Sequence, residues 1–303
     1  MAGTVVIFDF DKTIIDCDSD NWVVEELGAT ELFDSLLPTM PWNSLMVFVR
    51  FSSDFLLCRL EKLDHIVHLV RFQDRMMKEL HARGKTVEDI AEVLKRAPLD
   101  PRAISGIKSA YALGCDLRVV SDANMFFIET ILKHYGIIGC FTEINTNPSY
   151  VDEEGRLRIF PYHDFTKSSH GCPFCPPNMC KSKIVERIRS SALAEGKKRF
   201  IYLGDGKGDY CPSLLLSEID FVMPRKNFPL WDLIVKDHSA LKAEVHEWSN
   251  AEEQERVLLQ LINRIAAGNA AAATVPLLTV ECKLEMLPVA APEPLPKALP
   301  VSQ

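Results

Sequence analysis

The chain has no long apolar run free of charge, no surplus of basic residues, no compact cysteine framework and no complete dinucleotide-binding fingerprint. Each absence removes a class of function. The greasiest interval, Val47 to Val70, is broken by Arg50, Asp54, Arg59, Glu61, Lys62 and Asp64, so it fails as a membrane span. A formal net charge of -8 with no basic cluster argues against a nucleic-acid binder, because phosphate backbones demand grouped cations. Nine cysteines scattered over 303 residues do not staple a small disulfide scaffold, and reduced thiols are expected. In Gly204-Asp205-Gly206-Lys207-Gly208-Asp209 an acid stands where G-x-G-x-x-G needs its last glycine. No internal repeat is apparent. Asp9 and Asp11 interrupt the first apolar run before a secretory h-region can form, so a cytoplasmic location is expected.

What is present begins at Val5-Val6-Ile7-Phe8, a β-branched run that ends abruptly in Asp9 and Asp11, with Thr13 two residues on. Such a run reads as a buried parallel strand, and ligands of open α/β sheets gather at the carboxyl ends of strands. Two carboxylates so close repel one another and lose hydration, a conflict that a hard cation such as Mg2+ removes with oxygen ligands. Taken alone, the same residues also fit a strand with an Asp-capped turn. A second strand, Cys115 to Val120, ends in Ser121-Asp122-Ala123-Asn124 before a helix, where Ser121 serves either as helix cap or as anion ligand. A third, Arg199 to Gly204, ends in Asp205 and Asp209, spaced to meet a metal from the other side of the sheet tip. Lys181 opens a helix that runs to Glu195; a cation at the positive end of the helix dipole is disfavoured and points to a bound anion. Asp20 either caps a helix or faces the site entrance.

These pieces predict an α/β fold, a Rossmann-like doubly wound parallel sheet core with a small helical cap inserted after the first strand. Residues 1–16 and 98–265 form the core and 17–97 the cap. Residues 266–303, with runs of alanine and then proline and no core-forming period, read as a disordered tail. Cys172, Cys175 and Cys180 follow C-x2-C-x4-C with His163 and His170 nearby, which is compatible with zinc. A second C-x2-C or H-x3-5-H pair is missing, so a Pro-rich loop with packed, reduced cysteines is the preferred reading.

Acids, a hydroxyl, a lysine and acids on successive tips are the parts needed for phosphoryl transfer to an aspartate. Asp9-Phe10-Asp11-Lys12-Thr13, Ser121, Lys181 and Gly204 to Asp209 resemble, in order and combination, the four motifs of the haloacid dehalogenase superfamily. That resemblance implies Asp9 as nucleophile, Asp11 as general acid and base, and Ser121 and Lys181 on the phosphoryl oxygens. It implies Mg2+ held by Asp9, the main-chain carbonyl of Asp11 and Asp205, with Asp209 in support. Asp16-x-x-Ser19-Asp20, Cys172-x-x-Cys175-Pro176-x-Asn178-Met179-Cys180-Lys181 and Asp209-Tyr210-Cys211-Pro212 are similar, more narrowly, to the phosphoethanolamine/phosphocholine phosphatase branch and its plant members, over roughly Met1–Met46 and Asp74–Ile265. The implied partner is a small phosphorylated metabolite, with Asp20 and Asp122 facing a cationic head group. Inorganic pyrophosphatase is the nearest alternative, since some plant relatives carry that activity.

Relative to that branch, Val47 to Gln73 is an added segment, either a translated retained intron or a genuine extension of the cap. If it prevents closure, a catalytically impaired binding or regulatory protein becomes the third reading. Sequencing of mature transcripts separates the two origins: an in-frame form lacking these codons is expected of an intron, and the long form alone of a cap extension.

Overall fold

Strand β1 (Thr4–Phe8) is buried along its whole length, with its side chains alternating between two cores. Val6 and Phe8 join Ile107, Ile128 and Leu258 on one face, while Val5 and Ile7 join Ile184, Val185 and Ile188 on the other. Period-two alternation in an all-apolar strand is what a sheet covered on both faces requires. Each such side chain contributes about 1.5–3 kcal/mol by leaving water. The computed structural model describes residues 3–36, 68–164, 170–172 and 174–273.

The other sheet strands are β2 (Asp116–Asn124), β3 (Phe141–Asn147), β6 (Arg199–Gly204), β7 (Phe221–Pro224) and β8 (Glu244–Val245). They form one six-stranded parallel sheet in the order β3-β2-β1-β6-β7-β8. The chain leaves β1 for β2 and β3 on one side, then crosses to β6, β7 and β8 on the other. The order therefore reverses at β1, and the crevice of a doubly wound sheet opens at its carboxyl end. The expected Rossmann-like α/β core is the observed one.

Among the described residues, four helices follow β1 before the second strand's own lead-in helix: α1 (Ser19–Glu26), α2 (Thr30–Leu36), α3 (His68–Ala82) and α4 (Val87–Leu94). Helix α4 starts at a capping box in which Thr86 and Asp89 satisfy each other's amides. Helix α5 (Pro101–Ala112) has Pro101 in its first turn behind the Asp100 cap. A short antiparallel hairpin, β4 (Ser149–Val151) with β5 (Leu157–Ile159), turns through Asp152 to Gly155. It attaches to α3 by a bidentate pair, Arg158 Nε and Nη2 on the Asp74 carboxylate at 2.8 and 3.1 Å, and by the Ile159 amide at 3.2 Å. Most of the added segment, residues 47–67, lies outside the described residues, whereas 68–73 form the first turns of α3.

Helix α6 (Met125–His134) precedes the hairpin, and beyond it come α7 (Lys181–Ala194), α8 (Tyr210–Ser213), α9 (Pro229–Lys236) and α10 (Ala251–Ala273). Between α9 and α10 lie β8 and Trp248, whose indole donates to the Met223 carbonyl at 3.0 Å. One sequence expectation changes here. The tail expected from residue 266 begins as helix, because α10 runs on to Ala273. Alanine has the highest helix propensity, which favours this extension. The chain divides into units 1–266 and 267–303, and of the second the described part is this helical end.

Gly204 closes β6 where a side chain would have no room: a Cβ there would lie 2.5 Å from Cγ of the fully buried Asp209. Gly204→Ala is expected to lower unfolding free energy by roughly 1–3 kcal/mol. Gly139→Ala, which opens onto free space, should stay within about 0.5 kcal/mol of the parent in the same urea titration.

Candidate active site

Asp9 is the first residue past β1, at the point where strand order reverses. Its amide donates to the Leu203 carbonyl at 2.9 Å, which fixes its backbone to the end of β6. One carboxylate oxygen accepts from the Phe10 amide at 2.7 Å and the other lies 2.9 Å from the Lys181 ammonium. Lys181 begins α7 and also donates to Asp209 Oδ1 at 2.8 Å. All three side chains are buried. The lysine that the helix dipole disfavours is thus held by two carboxylates, so its position needs no bound anion.

Asp209 is saturated. Oδ1 accepts from Lys181 and from the Tyr202 hydroxyl at 2.6 Å, and Oδ2 accepts from the amides of Asp205 and Gly206 at 3.1 and 2.9 Å. Four donors occupy the lone pairs of one carboxylate. Asp209 therefore orients Lys181 and the Gly204–Gly206 turn, while Asp9 and Asp205 keep oxygen capacity toward the crevice. One carboxylate oxygen from each of Asp9, Asp205 and Asp209 lies within 4.8 Å of the others. Thr13 Oγ1 donates to Asp205 Oδ1 at 3.4 Å.

The electrostatics follow from that crowding. Burial, then Asp209, push the Asp9 carboxyl well above its ordinary range, with Lys181 offsetting only part. Burial, then Asp209, raise Asp205 to about 7. Burial alone would lower Lys181, but Asp209 and Asp9 overcome it and hold the ammonium well above its usual value. Several acids share one cation here, and the cluster gains from a second.

Asp11 points elsewhere. Lys12 adopts φ +54°, a left-handed conformation uncommon outside glycine, and its carbonyl is held by Arg225 Nη1 at 2.8 Å. On the other side of this turn, the Asp11 carboxylate accepts from the amide and hydroxyl of Ser19, both at 3.1 Å, in the first turn of α1. Burial, then Asp18 and Asp20, raise it well above the carboxylate range. Asp18 caps α1 through the Asn21 amide. Asp20 accepts from Gln73 Nε2, while its other oxygen is buried with no hydrogen-bond partner among the described residues. Burial, then Asp18, push Asp20 up to about 8.

Ser121 and Asp122 lie at the tip of β2. The pairing of Phe8 with Val119 sets them beside residues 9 and 10. Ser121 is fully buried and its hydroxyl accepts from the Ala123 amide at 3.2 Å. It does not cap the following helix; Asn124 does, accepting from Phe127 at 3.1 Å. The strand extends through Asn124 and the helix begins at Met125, as the sequence pattern predicts. Asp122 raises Asp9, Asp18 and Asp20 alike, which makes it part of the same acidic field.

Direct contacts thus join Asp9, Lys181, Asp205 and Asp209, while Asp11 and Asp20 meet them through α1 and its neighbours. Tyr202 and Gln73 carry no role in a reading of the sequence, and Ser19 and Cys211 enter it only as members of the resemblance motifs. Tyr202 leaves a trace there as a hydroxyl amid the apolar residues of a central strand. The thiols of Cys172, Cys175, Cys180 and Cys211 gather behind the lysine, a four-sulfur set rather than the three predicted.

The profile of the family described as Putative Phosphatase matches residues 4–53 and 57–262. Inorganic pyrophosphatase 2 of Arabidopsis thaliana is 58% identical over 86% of this chain and 84% of its own length. Phosphoethanolamine/phosphocholine phosphatase of Gallus gallus is 30% identical over 86% of this chain and 89% of its own. Among solved structures, a HAD family hydrolase of Salmonella enterica serovar Typhi superposes with a TM-score of 0.55 at 15% identity, covering 86% of this chain and 71% of that one, a likeness of fold.

Replacing Lys181 by Met leaves Asp9 and Asp209 buried without their cation, and a loss of about 3–5 kcal/mol is expected in denaturant unfolding. Lys181→Met combined with Asp209→Asn should cost clearly less than the two single changes summed. Simple additivity would show that the pair is not energetically coupled.

Proposed function

This chain belongs to the Putative Phosphatase family and is a HAD phosphatase, and from that premise we propose that it is a Mg2+-dependent hydrolase of small phosphomonoesters carrying a cationic head group, such as phosphoethanolamine and phosphocholine. The observation that carries the substrate class is the acid group at the start of the cap. Asp18 and Asp122 both act electrostatically on Asp20, and Asp20 has a buried oxygen with no hydrogen-bond partner among the described residues. An ammonium or quaternary ammonium supplies the missing charge.

The donor set fits Mg2+: the cluster is all carboxylate oxygen, buried, and short of positive charge. Asp9, Asp205 and the main-chain carbonyl of Asp11 would hold the ion, which when bound neutralises charge on the phosphoryl oxygens. Asp9 is the nucleophile. One of its oxygens bonds to phosphorus as the bond from phosphorus to the substrate oxygen breaks. Asp11 gives its proton to the departing alkoxide; once ionised, it takes a proton from the water that attacks the aspartyl-phosphate. The acyl phosphate bond then breaks, inorganic phosphate leaves and Asp9 is restored. Lys181 and Ser121 bind phosphoryl oxygens throughout.

A second reading, inorganic pyrophosphatase, is favoured by the 58% identity to the Arabidopsis protein of that name. A panel of phosphoethanolamine, phosphocholine and pyrophosphate separates them. The highest kcat/KM is expected for the two ammonium esters, and a clear preference for pyrophosphate would replace the first reading by the second. Asp9→Asn should abolish turnover of every substrate. Asp11→Asn should lower kcat by about 10²- to 10⁴-fold.

Asp20→Asn should raise KM for phosphocholine about tenfold, or about 1.4 kcal/mol, with pyrophosphate unaffected. Burial, then repulsion by Asp18 and Asp122, keeps the Asp20 carboxyl protonated below about 8. Only the ionised form attracts a cation, so affinity for phosphocholine should rise as pH rises through about 8. In Asp20→Asn that trend should vanish; its persistence would remove Asp20 from the head-group site.

A further inference from the structure

Behind the catalytic face, four cysteines from two separated stretches of chain converge. Cys172 and Cys175 lie in the loop before α7, Cys180 is the residue immediately preceding that helix, and Cys211 sits in α8. Their sulfurs all lie within 4.8 Å of one another, and Cys172 Sγ is 3.4 Å from Cys211 Sγ. Cys175, Cys180 and Cys211 are buried and form a small cluster of their own, with Cys172 packed against it. A tetrahedral zinc site with bonds of about 2.3 Å spaces its sulfurs by about 3.8 Å, which this arrangement brackets.

We propose that Cys172, Cys175, Cys180 and Cys211 bind a structural Zn2+ in a closed four-thiolate site. Two observations support it besides the sulfur spacing. First, the fourth ligand missing from the local C-x2-C-x4-C pattern is supplied from far along the chain, so the set is complete without solvent. A closed set of this kind marks a structural rather than a catalytic zinc, and thiolates select zinc over the hard Mg2+ of the carboxylate cluster. Second, of the two nearby histidines, His163 is not part of the group whose ligand atoms lie together, and His170 is committed elsewhere. His170 Nδ1 accepts from the Cys172 amide at 3.1 Å, so Nε2 carries the proton and donates to the Pro176 carbonyl at 2.8 Å. This neutral tautomer closes the loop that carries Cys172 and Cys175 and leaves the four sulfurs as the ligands.

The site's place in the fold gives it a purpose. Cys180 directly precedes Lys181, and Cys211 follows Asp209 by two residues. The same two segments are joined by Ser182 Oγ, which donates to the Cys211 carbonyl at 3.1 Å. A zinc ion ties the two stretches that deliver Lys181 and Asp209 to one another and takes no part in the reaction.

The test is elemental analysis of the full-length, tag-free protein purified under reducing conditions. About one zinc per chain is expected, retained through EDTA treatment that removes Mg2+. In the same samples, alkylation mapped by mass spectrometry should leave the four cysteines protected as a group until a mercurial displaces the metal. Cys211→Ser should retain less than about a tenth of the zinc, and Cys140→Ser, outside the cluster, all of it. Protein without zinc whose four thiols alkylate freely, a disulfide within the set, or a metal other than zinc would overturn the proposal. Zinc content is read independently of turnover, so this outcome and the phosphatase assignment stand or fall separately.

Discussion

The buried ammonium of Lys181, shared between Asp9 and Asp209, is the contact on which the rest of the site depends. It neutralises two acids that could not otherwise remain charged away from water, and it joins β1, α7 and the turn after β6 at a single point. The surrounding structure serves this pair. Tyr202 and the amides of Asp205 and Gly206 occupy Asp209, and Gly204 gives it room by having no side chain. One cation is nonetheless too few for the acids assembled, a deficit that the proposed divalent ion would offset.

A second layer of organisation lies beside this one. Asp11 is bonded to Ser19, and Asp20 to Gln73, so these acids are held by α1 and α3 and not by the sheet. In the proposed reaction, chemistry and recognition would therefore rest on different supports. The sheet edge fixes Asp9, Lys181 and Asp205. The geometry around Asp20 depends on how α1 and α3 lie against each other, and α3 in turn is attached to the core through Asp74 and Arg158.

Much of this was legible before any coordinates. An apolar strand ending in Asp9 and Asp11 announces its burial and its tip, because burial on both faces leaves no polar alternation and the acids mark where the strand ends. The parallel sheet and the positions of Asp205, Ser121 and Lys181 follow from the same logic. What escaped is what long-range contact decides. Lys181 looked misplaced because its carboxylate partners come from β1 and from the turn after β6. Cys211 could not be joined to Cys172, Cys175 and Cys180 by spacing, since the fold and not the local sequence brings it there. The end of the last helix was missed because alanines carry propensity without a hydrophobic period.

The alternation of β1 between two cores has a mechanical consequence. Val5 and Ile7 are gripped from one side, Val6 and Phe8 from the other, and both edges are hydrogen-bonded to β2 and β6. The strand behaves as a beam clamped on four sides, with Asp9 as its short free end. Displacing that carboxylate by a fraction of an ångström would require the two helical layers to shift together, so the precision of the proposed nucleophile is borrowed from the stiffness of the layers that grip the strand.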